Sequence, residues 1–218
     1  MKYYANIATY LQRDLRDLAR INDLAPFRKC EQMIALRTGN ILNFSELARD
    51  TGISVQTAKN YCSYLDLSFQ TILLEPYFAS TSKRLIKSPK AYMIDIGIQK
   101  VLSGQWDGMT GQQYESVIAS ELKKIISTLQ PDWNLYHLRT FDGLEVDFLL
   151  VKDNKALAIE VKISDRVHPQ DAKHLKHLES VTRIPHILKF VIYEGKEIQE
   201  LQKGIWGIPA IIFFGPGE

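Results

Sequence analysis

Cysteine is scarce: Cys30 and Cys62 are the only two in 218 residues. Their separation is far from the paired spacing of a zinc site, and two thiols make no disulfide framework. Each sits in a helical pattern, where a reduced thiol acts as a small apolar side chain, so no disulfide is expected. No apolar run approaches the ~18 residues of a membrane span. The start, MKYYANIATYLQRDL, has no apolar core followed by a small-residue cleavage site, so a cytoplasmic protein without membrane contact is expected. Charge of one sign is lacking too, the net value being +2, too little to announce a nucleic-acid binder. No internal repeat or low-complexity tract occurs, and no G-x-x-x-x-G-K-[ST] stretch, which excludes ATP binding through a Walker A loop.

The rest is ordinary for a core-forming chain, with 45% hydrophobic and 24% charged residues, enough for one large or two small domains. Its charge is unevenly spread. Residues 1–110 hold 14 Lys and Arg against 10 Asp and Glu, whereas residues 111–218 hold 13 against 15. A basic front half suits gripping phosphates and an acidic back half suits holding a cation; solubility alone accounts for the same bias.

In the front half, Leu11, Leu15, Leu18 and Ile21 share one helix face. A second helix surrounds Met33, Ile34 and Leu36 and closes at Gly39. The stretch NFSELARDTGISVQTAKNYCSYLDL then reads as helix-turn-helix. Asn43 and Glu46 have capping-box spacing, Ala48 allows a close crossing, Gly52 supplies the tight turn and Ser54 caps the next helix. Val55, Ala58, Cys62 and Leu65 form its inward stripe, leaving Gln56, Lys59 and Asn60 outward. The following TILLEPYFASTSKRLIKSPKAYMID reads as a hairpin wing with Lys83, Arg84, Lys87 and Lys90 on or near it. Those cations can reach phosphate oxygens, and Gln56 and Asn60 have the chemistry to read an adenine edge. The same pattern also fits a packing module with a solvated edge.

The Gly-rich SGQWDGMTGQ marks a boundary, dividing the chain into a helical, winged-helix module over 1–105 and a second domain over 106–218. The second opens with an amphipathic helix, Tyr114, Ile118, Leu122 and Ile125 inward. Strands follow in NLYHLRTF, EVDFLLVK and KALAIEVK, then a helix from about Pro169 to Val181, a strand ILKFVIYEG and a final apolar AIIFF. Trp206 and AIIFF read as core or subunit interface. The class is α/β, with a mixed sheet.

A two-residue turn at Asp153 and Asn154 sets the hairpin register so that paired numbers sum to 307. Asp147 then faces Glu160, and Glu145 faces Lys162. Two opposed carboxylates repel, and a hard divalent cation offsets that, so Mg²⁺ or Mn²⁺ is expected at Asp147 and Glu160. Lys162 points the same way and can stabilise charge developing on a phosphate. The bland alternative is an exposed Glu145–Lys162 pair worth ~0–1 kcal/mol. His174 and His177, with His168 before them, read as a solvated helix face, while Gln170 and Lys173 are placed to touch a DNA backbone. Arg139 fits a phosphate contact or a surface charge equally well.

Glu115 in GQQYESVIASEL, Asp147 in EVDFLL and Glu160-Val161-Lys162 in AIEVK resemble the E…D…(D/E)xK signature of the restriction-endonuclease-like fold, with Val146 where a proline is common. The resemblance implies that Asp147 and Glu160 ligate Mg²⁺, Lys162 positions or activates water, and Glu115 assists the metal shell. Over nearly the whole chain, YLQRDL, LNFSELARDTGISVQTAKNY, KRLIKSPKAYMIDIG, GQQYES and GLEVDFLL…IEVK resemble the C-terminal part of prokaryotic AAA-type ATPases with a nuclease-like tail. That resemblance implies a fragment or truncated relative, a separate ATPase module as partner, and DNA as ligand; enzymes of the resembling fold often act as homodimers. Two functions follow: Mg²⁺-dependent phosphodiester hydrolysis on DNA, or a non-catalytic DNA- or protein-binding regulatory tail.

Overall fold

The computed structural model describes residues 24–77 and 87–215, and shows a mixed α+β chain. The helix expected over 11–21 lies outside the described residues, as do Lys83 and Arg84. The chain divides into two compact units, one within 1–73 and 90–108, the other within 74–89 and 109–218.

In the first unit, α1 (Leu24–Leu36), α2 (Phe44–Thr51) and α3 (Val55–Leu67) accompany a three-stranded sheet of β1 (Asn40–Ile41), β2 (Thr71–Leu74) and β3 (Lys90–Met93), in the order β1-β3-β2; α4 (Ile96–Ser103) completes it. Local signals set the α2–turn–α3 geometry. Asn43 Oδ1 accepts from the Ser45 and Glu46 amides at 3.0 and 3.1 Å, so the cap forms without the reciprocal arm of a capping box; Glu46 turns to Arg37, 3.2 Å away. Gly52 takes φ 76 and donates its N–H to Ala48 O, a left-handed C-cap that favours glycine. Ser54 Oγ accepts from Thr57 N at 3.0 Å.

Ala58, Cys62 and Leu65 are buried against Phe27, Cys30, Ile34 and Leu47. Val55 is 42% exposed, contrary to the inward stripe, because it opens the helix before the first full turn reaches the core. Cys30 and Cys62 are free and buried. Their contact, then burial, pushes the Cys30 thiol far up, so it packs as a neutral group. Glu31 on α1 is only 6% exposed, and burial pushes its carboxyl up to about 7 against the pull of Arg28.

The two strands expected to flank a wing, β2 and β3, are neighbours in the sheet, but the wing cations need correcting. Just after β2, Tyr77 N donates to His137 O and His137 N to Glu75 O, within the second unit. Lys90 is buried in β3, 2% exposed, and cannot reach a phosphate.

The second unit carries a six-stranded mixed sheet of β4 (Asn134–Arg139), β5 (Glu145–Lys152), β6 (Lys155–Lys162), β7 (His186–Tyr193), β8 (Gln199–Gln202) and β9 (Ile205–Pro209), ordered β4-β5-β6-β7-β9-β8. The first three form an antiparallel meander; β6, β7 and β9 are mutually parallel. Parallel neighbours need a crossover. The long helix α5 (Gly111–Leu129) precedes the sheet and buries Tyr114, Ile118 and Leu122, with Ile125 half-buried. Between β6 and β7 the crossover consists of a 3₁₀ helix, Pro169–Leu175, and α6 (Leu178–Thr182). His177 at φ 54 breaks the single helix expected there. Ala156 and Ala158 of β6 pack with Ala172, Leu175 and Leu178, so even-numbered residues of β6 face the crossover. The first residue of α5, Gly111, lies against the methyl of Ile163, on the odd-numbered face. The AIIFF run is α7 (Ala210–Phe214), with Ile211 and Ile212 exposed. Neither β8, in QELQ, nor β9, in IWGIP, carries the period-two hydrophobic alternation that marks a strand in sequence. No helix among the described residues is long and apolar enough to cross a membrane.

A carboxylate, lysine and histidine cluster at the open end of a hairpin

The β5–β6 hairpin has the expected register. Asp153 takes φ 52 in the turn, and the pairs run from Lys152↔Lys155 to Phe148↔Ile159. There the ladder stops, one step short of Asp147 and Glu160. The cause lies on the other side of β5. Between Tyr136↔Leu149 and Leu138↔Val146, β4 advances two residues and β5 three. The extra residue is a bulge beside Asp147, which breaks the alternation there and re-aims the side chain. Asp147 Oδ2 accepts from Val161 N at 3.0 Å, so a carboxylate takes a backbone donor that a continued ladder would have paired.

Asp147 and Glu160 are 6% and 4% exposed. Glu160 is bracketed. Its Oε2 lies 3.4 Å from Lys162 Nζ on its own strand, and its Oε1 lies 3.8 Å from His174 Nδ1 on the 3₁₀ helix. Burial alone would lower the Lys162 pKa, but the charges of Glu160 and Asp147, the hydrogen bond to Glu160 and the charge of Asp171 outweigh it; the net shift is upward. Lys162 is therefore an ammonium and no base at neutral pH. The His174 pKa is lowered, by burial first and then by Lys173 and Lys162, against Glu145 and Asp147.

Two expectations change here. Glu145 pairs with Arg139 at 3.4 Å rather than with Lys162, since β4 places Arg139 directly opposite it. His174 leaves the solvated face assigned to it. In a 3₁₀ helix residues three apart eclipse, so His174 stacks with Asp171 over the sheet while Ala172 and Leu175 enter the core. Its sequence signal was the Asp171/His174 spacing, legible only once the helix is known to be 3₁₀. Gln170 and Lys173 are exposed, and His177 is too.

Glu115 is half-buried on α5, the helix that starts against Ile163, on the face away from His174. Among the described residues, no group of three or more His, Cys, Asp or Glu is arranged to hold a metal ion. Two carboxylates nevertheless fit what Mg²⁺ ordinarily takes from a protein, with water and phosphate filling the remaining positions. Beyond the ends of β6 and β7, a cavity of about 620 Å³ carries Arg166, His168 and Lys196 in its lining.

In the first unit, Gln56, Lys59 and Asn60 are exposed on α3. Gln56 Nε2 donates to Asn60 Oδ1 at 3.0 Å, and the Lys59 ammonium stands 5.7 Å from the centre of the Phe44 ring. Lys87 is exposed and belongs to the second unit.

Comparison with known proteins divides the chain at nearly the same place. Residues 1–107 match a family described as a domain of unknown function, DUF8612, and residues 110–213 match another, DUF4143. Uncharacterized proteins of Mycobacterium bovis and Mycobacterium tuberculosis are each 30% identical over 208 residues, 94% of this chain. The chain spans 46% of the length of those relatives.

Proposed function

We propose that the second unit is a restriction-endonuclease-like domain that hydrolyses phosphodiester bonds in DNA, and that the first is a winged-helix-type module that grips the duplex. The observation that carries the reading is the bulge in β5. It turns Asp147 into the opened end of the hairpin, beside Glu160 and Lys162, at a place where a continuous ladder would serve stability better.

Asp147 and Glu160 would hold a Mg²⁺ or Mn²⁺ ion through oxygen donors; Glu115, on the opposite face of the sheet, takes no part. A divalent ion, when bound, supplies Lewis-acid activation of the phosphate and of the attacking water. Lys162, held protonated by its neighbours, stabilises negative charge as it develops on the phosphate oxygens. Arg166, His168 and Lys196 offer contacts to flanking phosphates, as do Gln170 and Lys173. In the first unit Gln56 and Asn60 meet base edges, and Lys59 a phosphate. The resemblance to the tails of AAA-type ATPases, together with relatives about twice as long, supports an ATPase module as partner in the whole protein.

A second reading has an observation of its own. Asp147 already accepts from Val161 and Lys162 already faces Glu160. Such a network can simply hold the hairpin open in a non-catalytic DNA- or protein-binding tail.

Cleavage of duplex, single-stranded and branched DNA in Mg²⁺ and in Mn²⁺ separates the two. Wild type should cut, while Asp147→Asn and Lys162→Ala, folded by circular dichroism, should not. Retention of DNA without cleavage, unchanged by both substitutions and by metal removal, would establish the binding tail.

A further inference from the structure

We propose that the cavity beyond the ends of β6 and β7 receives one unpaired nucleotide of a DNA strand, with its phosphate on Arg166 and Lys196 and its base edge on carboxylates. This rests on the reading of the chain as DNA-binding, and goes beyond contacts to flanking phosphates by naming the kind of DNA the site takes.

The walls are two loops, one over 163–168 after β6 and one over 194–198 after β7. They are pinned to each other and to themselves. Glu194 N donates to Ser164 O at 2.9 Å, Arg166 N donates to Ser164 Oγ at 3.2 Å, and the Tyr193 hydroxyl donates to Glu197 O. A Cβ on Gly195 would stand 2.8 Å from Asp165 O. Arg166 and Lys196, each one residue further on, therefore start from a single point of contact between the loops.

The charges on these walls are uncommitted. Among the described residues, the side chains of Asp165, Arg166, Glu194, Lys196 and Glu197 form no ion pair, although both signs line one cavity. A bare phosphate would meet three carboxylates as well as two cations there, a poor balance for an anion alone. A nucleotide suits both signs. Its phosphate takes the guanidinium and the ammonium, and a base amino group donates to a carboxylate, as cytosine N4 does. Thymine carries the O4 acceptor in that place and would set one acceptor against another.

Size selects the unpaired state. A volume of about 620 Å³ is that of a site enclosing one small molecule. A base inside a duplex is held in the stack, and reaches such a cavity only by leaving it or by never having been paired. The place is apt as well, since open α/β sheets ordinarily bind ligands outside the carboxyl ends of their parallel strands.

The test is fluorescence anisotropy with the whole chain at one salt concentration, without divalent ions so that nothing is cut, for wild type, Arg166→Ala and Lys196→Ala. The probes are labelled duplexes that are fully paired or carry a single unpaired cytosine or thymine. Wild type should bind the unpaired cytosine about tenfold more tightly than either the paired duplex or the unpaired thymine. Each substitution should remove most of that gain while changing binding to the paired duplex less than about threefold. If both substitutions instead weaken paired and unpaired DNA alike, Arg166 and Lys196 are plain phosphate contacts, and the cavity assignment is wrong while DNA binding stands. Equal binding of all three duplexes by wild type would overturn it in the same way. If wild type binds none of them, the DNA-binding reading falls, and this assignment with it.

Discussion

Replacing Glu31 by glutamine should make the protein more stable above neutral pH and change little in acid. The Glu31 carboxyl is buried on α1, and burial raises it from the usual 4.5 to about 7. At ~1.4 kcal/mol per pH unit, a rise of that size corresponds to about 3 kcal/mol. The sign follows from which state holds the proton. Between pH 4.5 and about 7 the native chain keeps a proton that the unfolded chain has released. Stability tied to this group is therefore fully present below about 4.5, falls as pH rises, and is gone above about 7. Glutamine keeps the shape without ionising, so its stability should not follow that slope.

Urea unfolding of wild type and Glu31→Gln at about pH 4 and about pH 8, followed by circular dichroism, measures the difference. Amide exchange in α1 reports the first unit separately. The variant should gain up to about 3 kcal/mol at about pH 8 and roughly nothing at about pH 4. Equal stabilities in alkali, or parallel pH slopes for the two proteins, would refute the argument that Glu31 is destabilising as an anion.

Asp147→Ala strips the Val161 amide of its acceptor and should cost about 1–3 kcal/mol, whereas Asp147→Asn keeps an acceptor oxygen and should melt close to wild type. At Asn43, alanine should cost about 1 kcal/mol through loss of the α2 cap, whereas Asn43→Asp retains a capping oxygen and should keep the stability; differential scanning calorimetry reads both. Gly195→Ala should destabilise by at least about 1–3 kcal/mol. A Cβ there would stand 2.0 Å from Tyr193 Cε2 and 2.8 Å from Asp165 O, and the Tyr193 ring is tied down by its hydroxyl bond to Glu197 O. A soluble Gly195→Ala variant with an unchanged melting temperature would show that this loop yields.

The features read correctly from sequence are those governed by neighbours a few residues away. Asn43 and Ser54 cap their helices because a short polar side chain reaches an amide two or three residues on. Gly52 turns because it lacks a Cβ. Asp153 closes the β5–β6 hairpin, and a two-residue loop leaves one register, so Phe148 had to meet Ile159. The misreadings share another cause. Lys90 looked like a wing cation, yet β3 lies between β1 and β2, and a central strand buries its residues whatever their charge. Val55 looked inward, since periodicity cannot tell where a helix first touches its core.

The candidate site shows the same division. Sequence alone determined which residues could take part: Asp147, Glu160 and Lys162 sit near the end of a hairpin whose turn and register are local matters. Tertiary structure decided how they meet. The bulge that turns Asp147 toward Val161 exists only because β4 pairs with β5 out of step, and that pairing depends on contacts with a separate strand. His174 reaches Glu160 only because the crossover to a parallel neighbour is a 3₁₀ helix laid over the even-numbered face of β6. Neither fact follows from hydrophobic pattern or spacing, since both depend on which strand lies next to which, a choice made by the packing of the whole sheet.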